Sequence, residues 1–309
     1  MTAQAATLPS ARDENVGMAL GLAAVMLFAL TIPMTRMASL ALPPVFVGAG
    51  RAALSGLLAA GYLWAVGARW PRGGEWGLIA WMALGGVFGW TGLMAIAVRY
   101  VDAVHASVVS GIIPLATALL AAVWAGQRPS RGFWACAAGA ALVVVGYALL
   151  RSGGRLHAAD ALLLAAVLLC ALGYVAGARL ARTMPAAQVG SWVLALCLPV
   201  SLPLAAYTWP QAPAPWSAWG AWLYVSIVSA WLGMFVWYRA LALGGAVRVS
   251  QTQAVQPFAS MLLAALLLGE RLDALTLACG VAVVGLVVLG RRMPVRQSLH
   301  PDSTARPAP

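Results

Sequence analysis

The chain has no lysine, eight acidic residues and three histidines among its 309 residues. With 9% charged and 62% hydrophobic residues, it lies far from soluble domains, which carry about 25% charge. A water-soluble globular fold is excluded. Scarcity of titratable groups also argues against an enzyme. Only His105, His157 and His300 are available. Glu75, Asp102, Asp160, Glu270 and Asp273 are expected at loops or helix ends, not converging on a pocket as acid–base chemistry requires. The four cysteines (Cys136, Cys170, Cys197 and Cys279) fall in apolar stretches without metal-ligand spacing. They read as small hydrophobes, and neither a metal nor a cofactor is expected. No cleavage pattern follows the first apolar stretch, which therefore reads as a retained helix. The missing lysine itself carries no mechanism.

What the chain has instead is apolar sequence in long runs. Crossing a hydrocarbon core of about 30 Å takes roughly 20 apolar residues. Ten stretches qualify: 17–36, 45–66, 76–98, 104–126, 132–150, 160–180, 188–208, 217–239, 247–269 and 272–290. The links between them are short, so successive helices run antiparallel. The reading is an all-α polytopic membrane protein of ten transmembrane helices. Residues 1–16 form a cytoplasmic tail, 17–150 a first five-helix repeat, 151–290 a second, and 291–309 a disordered cytoplasmic tail.

The two halves are copies. Pro114-Leu-Ala-Thr-Ala-Leu-Leu-Ala-Ala leads to Gly126-Gln127-Arg128, and 143 positions later Pro257-Phe-Ala-Ser-Met-Leu-Leu-Ala-Ala leads to Gly269-Glu270-Arg271. The same offset pairs Arg36 with Arg179 and Ser107 with Ser250. All 19 basic residues are arginine. If the N-terminus is cytoplasmic, 13 of them fall in inner segments and 5 in outer ones, with Arg51 inside a span. That bias places both termini in the cytoplasm of a bacterial inner-membrane protein. It also accounts for the net charge of +11 without a nucleic-acid partner. Five spans per half then make the repeats inverted with respect to each other.

Candidate site residues follow from polar groups at membrane depth. A helical proline frees the carbonyl four residues earlier, here that of Ser110 for Pro114 and of Gln253 for Pro257. Ser107, Ser110 and Pro114 form a stripe at helical spacing, matched by Ser250, Gln253 and Pro257, with Gln256 beside the second. These groups either bridge helices or line a polar path for a substrate, and their symmetric placement in inverted halves favours the path. Arg51 lies several residues inside its span and has Leu194 as repeat partner. It either snorkels to the headgroups or faces an anionic group at a cavity mouth. Trp90 and Trp231 lie deeper than the interfacial tryptophans and are candidates for apolar cavity walls. Gly85-Gly-Val-Phe-Gly89 has the spacing that lets helix backbones approach closely.

Ten spans in two inverted halves, each with an early Arg and a Pro-x11-Gly-[Glu/Gln]-Arg stretch closing its fourth span, resemble the EamA-type drug/metabolite transporter superfamily from about Gly17 to Gly290. The resemblance implies a secondary transporter, often an exporter of amino acids or other small metabolites, with a central cavity lined by the first four helices of each half. Gly126-Gln127-Arg128 departs from the family's Gly-Glu-Arg, so the motif reads as a helix-end cap and loop anchor. The leading expectation is export of a small polar metabolite by alternating access, with a proton as possible coupling ion through Glu270 or Asp102. The alternative is a non-transporting membrane receptor or scaffold.

Overall fold

The computed structural model describes residues 11–124, 128–151, 157–181, 183–244, 250–293 and 295–296. Among these residues the chain forms ten apolar helical segments in the predicted order. Segment 1 comprises Ala11–Ala29 and Thr31–Ala41, segment 2 Pro44–Ala65, and segment 3 Glu75–Met82, a π-helical stretch Ala83–Trp90, and Thr91–Ala97. Segment 4 is Ala103–Ser110 followed by Ile113–Trp124, segment 5 Arg131–Arg151, and segment 6 Ala158–Leu180. Segment 7 is Ala186–Leu196 and Leu198–Tyr207, and segment 8 is Trp216–Leu223, a second π stretch Tyr224–Leu232, and Gly233–Gly244. A 3-10 turn, Ser250–Val255, leads into Gln256–Leu268 to make segment 9, and Ala274–Arg291 is segment 10.

Seven of these segments, 1 to 6 and 8, are long and apolar enough to cross a membrane, and segment 7 makes eight if its two helices, bent by 51°, count as one span. Of the ten expected spans, segments 9 and 10 form shorter apolar helices, and four segments depart from the expected run. Segment 4 breaks at Gly111–Ile112, where Gly111 N–H turns back to Ser107 O and Val108 O ahead of Pro114. Segment 9 begins as a 3-10 turn ahead of Pro257 for the same reason, a proline that cannot complete the preceding turn. Pro199 bends segment 7, and segment 10 starts only at its Asp273 cap. At the chain ends, the first helix begins at Ala11, inside the expected tail, and Val295–Arg296 pair with Arg128–Pro129 in a two-residue antiparallel ladder.

The packing follows the repeat. Segment 1 packs most extensively on segment 8, and its copy, segment 6, on segment 3, the copy of segment 8. Segments 2, 4 and 5 each pack on their own copies, segments 7, 9 and 10. These are the contacts that a two-fold relation between the halves produces. Close approach depends on glycine. A Cβ on Gly85 would stand 2.2 Å from Leu169 O and 2.7 Å from Gly173 N, so segments 3 and 6 meet backbone to backbone. One on Gly56 would stand 2.7 Å from Leu194 O in segment 7. In both cases the missing side chain is what allows the contact.

Candidate functional site

Two polar groups lie within the bundle. The first joins the broken segments 4 and 9. Ser107, fully buried, donates to Ala103 O at 2.7 Å and to Ser260 Oγ at 2.9 Å. Ser110 donates to Ser107 O at 2.8 Å. A Cβ on Gly111 would lie 3.8 Å from Pro257 Cγ, so the break in segment 4 faces the proline that starts the helix of segment 9. Pro114 and Pro257 occupy the second position of their respective helices. Gln253 and Gln256 are half-buried, and neither side chain forms a hydrogen bond with a described residue. The Ser250 side chain lies outside the described residues. Trp90 packs on the apolar cluster that includes Val104, Val108 and Leu115. Beside the 3-10 turn, Met18, Ala19, Leu22, Thr252 and Val255 line an open depression of about 430 Å³ on the outside of the bundle. A shallow surface groove of about 320 Å³ between segments 5 and 10 is lined largely by apolar side chains.

The second group lies between segments 1, 2 and 8. The π stretch of segment 8 carries Ser229, whose Oγ lies 2.7 Å from Thr31 Oγ1 and 3.5 Å from Arg51 Nη2. Arg51 Nε is buried and has no hydrogen-bond partner. The same holds for the indole nitrogens of Trp222 and Trp231. Trp222 stands against segment 2 one residue from Arg51, since a Cβ on Gly50 would be 3.2 Å from its Nε1. Further along this interface Trp231 packs edge-on against Phe235 (5.2 Å), which packs against Tyr62 (4.9 Å). Arg51 and Trp231 thus flank the contact between segments 2 and 8, and the Ser107 group lies at a different one.

Sequence reasoning missed Thr31, Ser229 and Trp222. It expected the acidic residues at loops and helix ends, where Asp102, Glu270 and Asp273 lie, but it did not foresee their partners. Arg36 binds Asp102 Oδ1 through Nη2 (2.6 Å) and Glu270 Oε1 through Nε (2.8 Å), and Nη1 donates to Val98 O (2.8 Å) and Val101 O. Glu270 accepts the backbone N–H groups of Ala103 (2.9 Å) and Val104 (2.8 Å). Those two donors open a helix and have no intrahelical partner. Asp102 occupies the capping position, but its carboxylate is turned to Arg36, so the cap comes from the other half of the chain. Burial pushes the Glu270 carboxyl above its ordinary range, against the two N–H groups and Arg36. Nearby, buried His105 Nε2 lies 2.8 Å from Asp160 Oδ1, and Asp273 accepts from Thr276 and Arg151. The bond from Thr276 holds the Asp273 carboxyl below its ordinary range. No group of three or more possible metal ligands occurs among the described residues.

Both halves match the EamA-like transporter family, over residues 15–152 and 157–291. A protein of Bacillus subtilis (strain 168), described as "Uncharacterized transporter YdeK", is 38% identical over 277 residues, 88% of this chain and 96% of its own. A chain of known crystal structure superposes with a TM-score of 0.60 over 89% of this chain and 98% of its own. At 20% identity that likeness shows the fold alone.

Proposed function

Because the chain belongs to the EamA-like transporter family, we propose that it moves a small polar metabolite, an amino acid or a related compound, out of a bacterial cell by alternating access across the inner membrane. In this reading all ten segments cross the bilayer and both termini are cytoplasmic. Residues 17–150 and 151–290 are the two moving halves, and 1–16 and 291–309 are tails. The observation that carries the proposal is the packing: each of segments 2, 4 and 5 meets its own copy, and the proline breaks of segments 4 and 9 meet at Gly111 and Pro257. Helices broken at matching places in inverted repeats can exchange conformations while the exchanged state stays equally well packed.

The site combines both polar groups. Gln253 and Gln256, half-buried and without a side-chain hydrogen bond to a described residue, offer donors and acceptors beside the 430 Å³ depression at the start of segment 9. Ser110, Pro114, Pro257 and the Ser107–Ser260 bridge form the pivot, Ser250 continues the polar stripe, and Trp90 and Trp231 pack the apolar part of the cargo. A proton is the proposed coupling ion.

Proteoliposome uptake of a panel of labelled amino acids tests this reading, with Gln253→Ala as comparison. Uptake by the wild-type chain and a several-fold loss in the variant are expected; equal uptake by both removes Gln253 from the site. Repeating the flux with and without a pH gradient tests coupling, and a flux indifferent to the gradient excludes proton antiport.

A further inference from the structure

Among the described residues, no carboxylate pairs with Arg51, a cation inside the bundle. The five acidic side chains described in full are already engaged: Glu75 with Arg69, Asp102 and Glu270 with Arg36, Asp160 with His105, and Asp273 with Arg151. Asp13 and Glu14 begin segment 1, and Thr31, the residue of that segment nearest the site, follows 17 positions later. At 1.5 Å per residue the separation is about 25 Å, beyond the reach of any side chain. Asp302 lies outside the described residues. The ionisable group close enough to bear on Arg51 is Tyr174, a phenol and the repeat partner of Thr31.

The guanidinium therefore has one hydroxyl, Ser229 Oγ, at 3.5 Å from Nη2, and a buried Nε with nothing to donate to. A buried charge persists in a low-dielectric interior only when something compensates it. Arginine presents Nε and Nη as a planar fork that matches the two oxygens of a carboxylate. The Ser229 hydroxyl is the neutral acceptor here, and no carboxylate among the described residues meets the guanidinium.

We infer that the cargo carries an anionic group, of which a carboxylate fits the fork, and that Arg51, supported by Ser229 and Thr31, is the subsite that receives it. This rests on the transport reading and narrows it: compounds lacking an anionic group are not cargo. The unpaired Nε is the vacant half of the fork, filled when cargo binds. Leu194, the repeat partner of Arg51, cannot do the same, so the subsite occurs once, at a contact to which both halves contribute.

The test compares metabolites released by cells carrying no protein, the full chain, Arg51→Gln, Arg51→Lys and Ser229→Ala, with the amount of folded protein in the membrane measured for each. The compounds released by the wild type are expected to carry carboxylates. Their release should fall about 30-fold or more in Arg51→Gln, recover partly in Arg51→Lys, which keeps the charge but not the fork, and fall several-fold in Ser229→Ala. Released compounds without an anionic group, or release unchanged in Arg51→Gln, overturn the subsite and leave transport standing. No difference between wild type and empty cells removes the transport reading itself. If Arg51→Gln fails to fold, full release in both Arg51→Lys and Ser229→Ala overturns the subsite. Stabilisation of the purified chain by chloride that depends on Arg51, without carboxylates among the released compounds, assigns the position to an inorganic ion and overturns it as well.

Discussion

Replacing Glu270 by alanine removes three interactions at once: the caps on Ala103 N–H and Val104 N–H and the ion pair with Arg36. Hydrogen bonds to a charged acceptor contribute about 1.5–3 kcal/mol each, and an N-terminal cap as a whole about 1 kcal/mol. The loss is tempered because Asp102 already occupies the capping position and can turn back to it, and because Arg36 keeps Asp102 and two carbonyls. The Arg36 and Glu270 side chains are 16% and 7% exposed, so their coupling belongs between an exposed pair, below about 1 kcal/mol, and a buried one. These terms give about 2–3 kcal/mol for Glu270→Ala. Glu270→Gln keeps a neutral acceptor for one N–H and should cost about half as much, since Gln is what the first repeat carries at the matching position, Gln127. A cycle with Arg36→Ala should return a coupling of about 1 kcal/mol. Reversible unfolding in mixed micelles, titrated with a denaturing detergent, measures all four variants. A Glu270→Ala variant within 0.5 kcal/mol of wild type, or a Gln variant as unstable as the Ala one, refutes the capping argument.

Two further predictions concern packing and pH. Gly85→Ala must push segments 3 and 6 apart by about 1 Å, for a cost of about 1–3 kcal/mol. Gly86→Ala, where an added Cβ meets nothing within 4 Å, should be neutral or slightly stabilising; thermal unfolding in detergent checks the contrast, which equal effects would contradict. Thr276 holds the Asp273 carboxyl below its ordinary value of 3.8, so the folded state binds that proton less tightly than the unfolded one. Its stabilising contribution is complete above that value and fades as pH falls below it. The stability gap between wild type and Asp273→Asn should therefore narrow on acidification, and a gap independent of pH would show that the cap is not electrostatic.

Much of the architecture was legible because it is written in periodicity. Apolar run lengths placed the segments, the 143-residue repeat placed their copies, and Pro114 and Pro257 marked the breaks. The depth of Arg51 in its span, and its lack of a charged repeat partner, were legible too. Thr31 and Ser229 were not. A lone hydroxyl in a membrane helix usually bonds its own backbone, as Ser55, Thr35 and Ser226 do here, and the sequence does not distinguish those from one that reaches a neighbour. Ser229 reaches Thr31 and Arg51 from a π-helical stretch, and that change of winding has no signal in composition. Pairings such as His105 with Asp160, 55 positions apart, or Glu270 with Ala103, depend on which helices become neighbours. That was decided by the crossing of segments between halves, and a single sequence did not disclose it.

That crossing bears on how the chain is made. When the ribosome has finished segment 5, the Gly85 face of segment 3 has no segment 6 to meet, and Ala103 and Val104 have no cap, because Glu270 is still unsynthesised. The first half must wait in the bilayer as a loose set of helices until its copy arrives. Separately expressed halves should therefore find each other or be degraded, and Glu270, just past the end of segment 9, is the clasp that completes assembly.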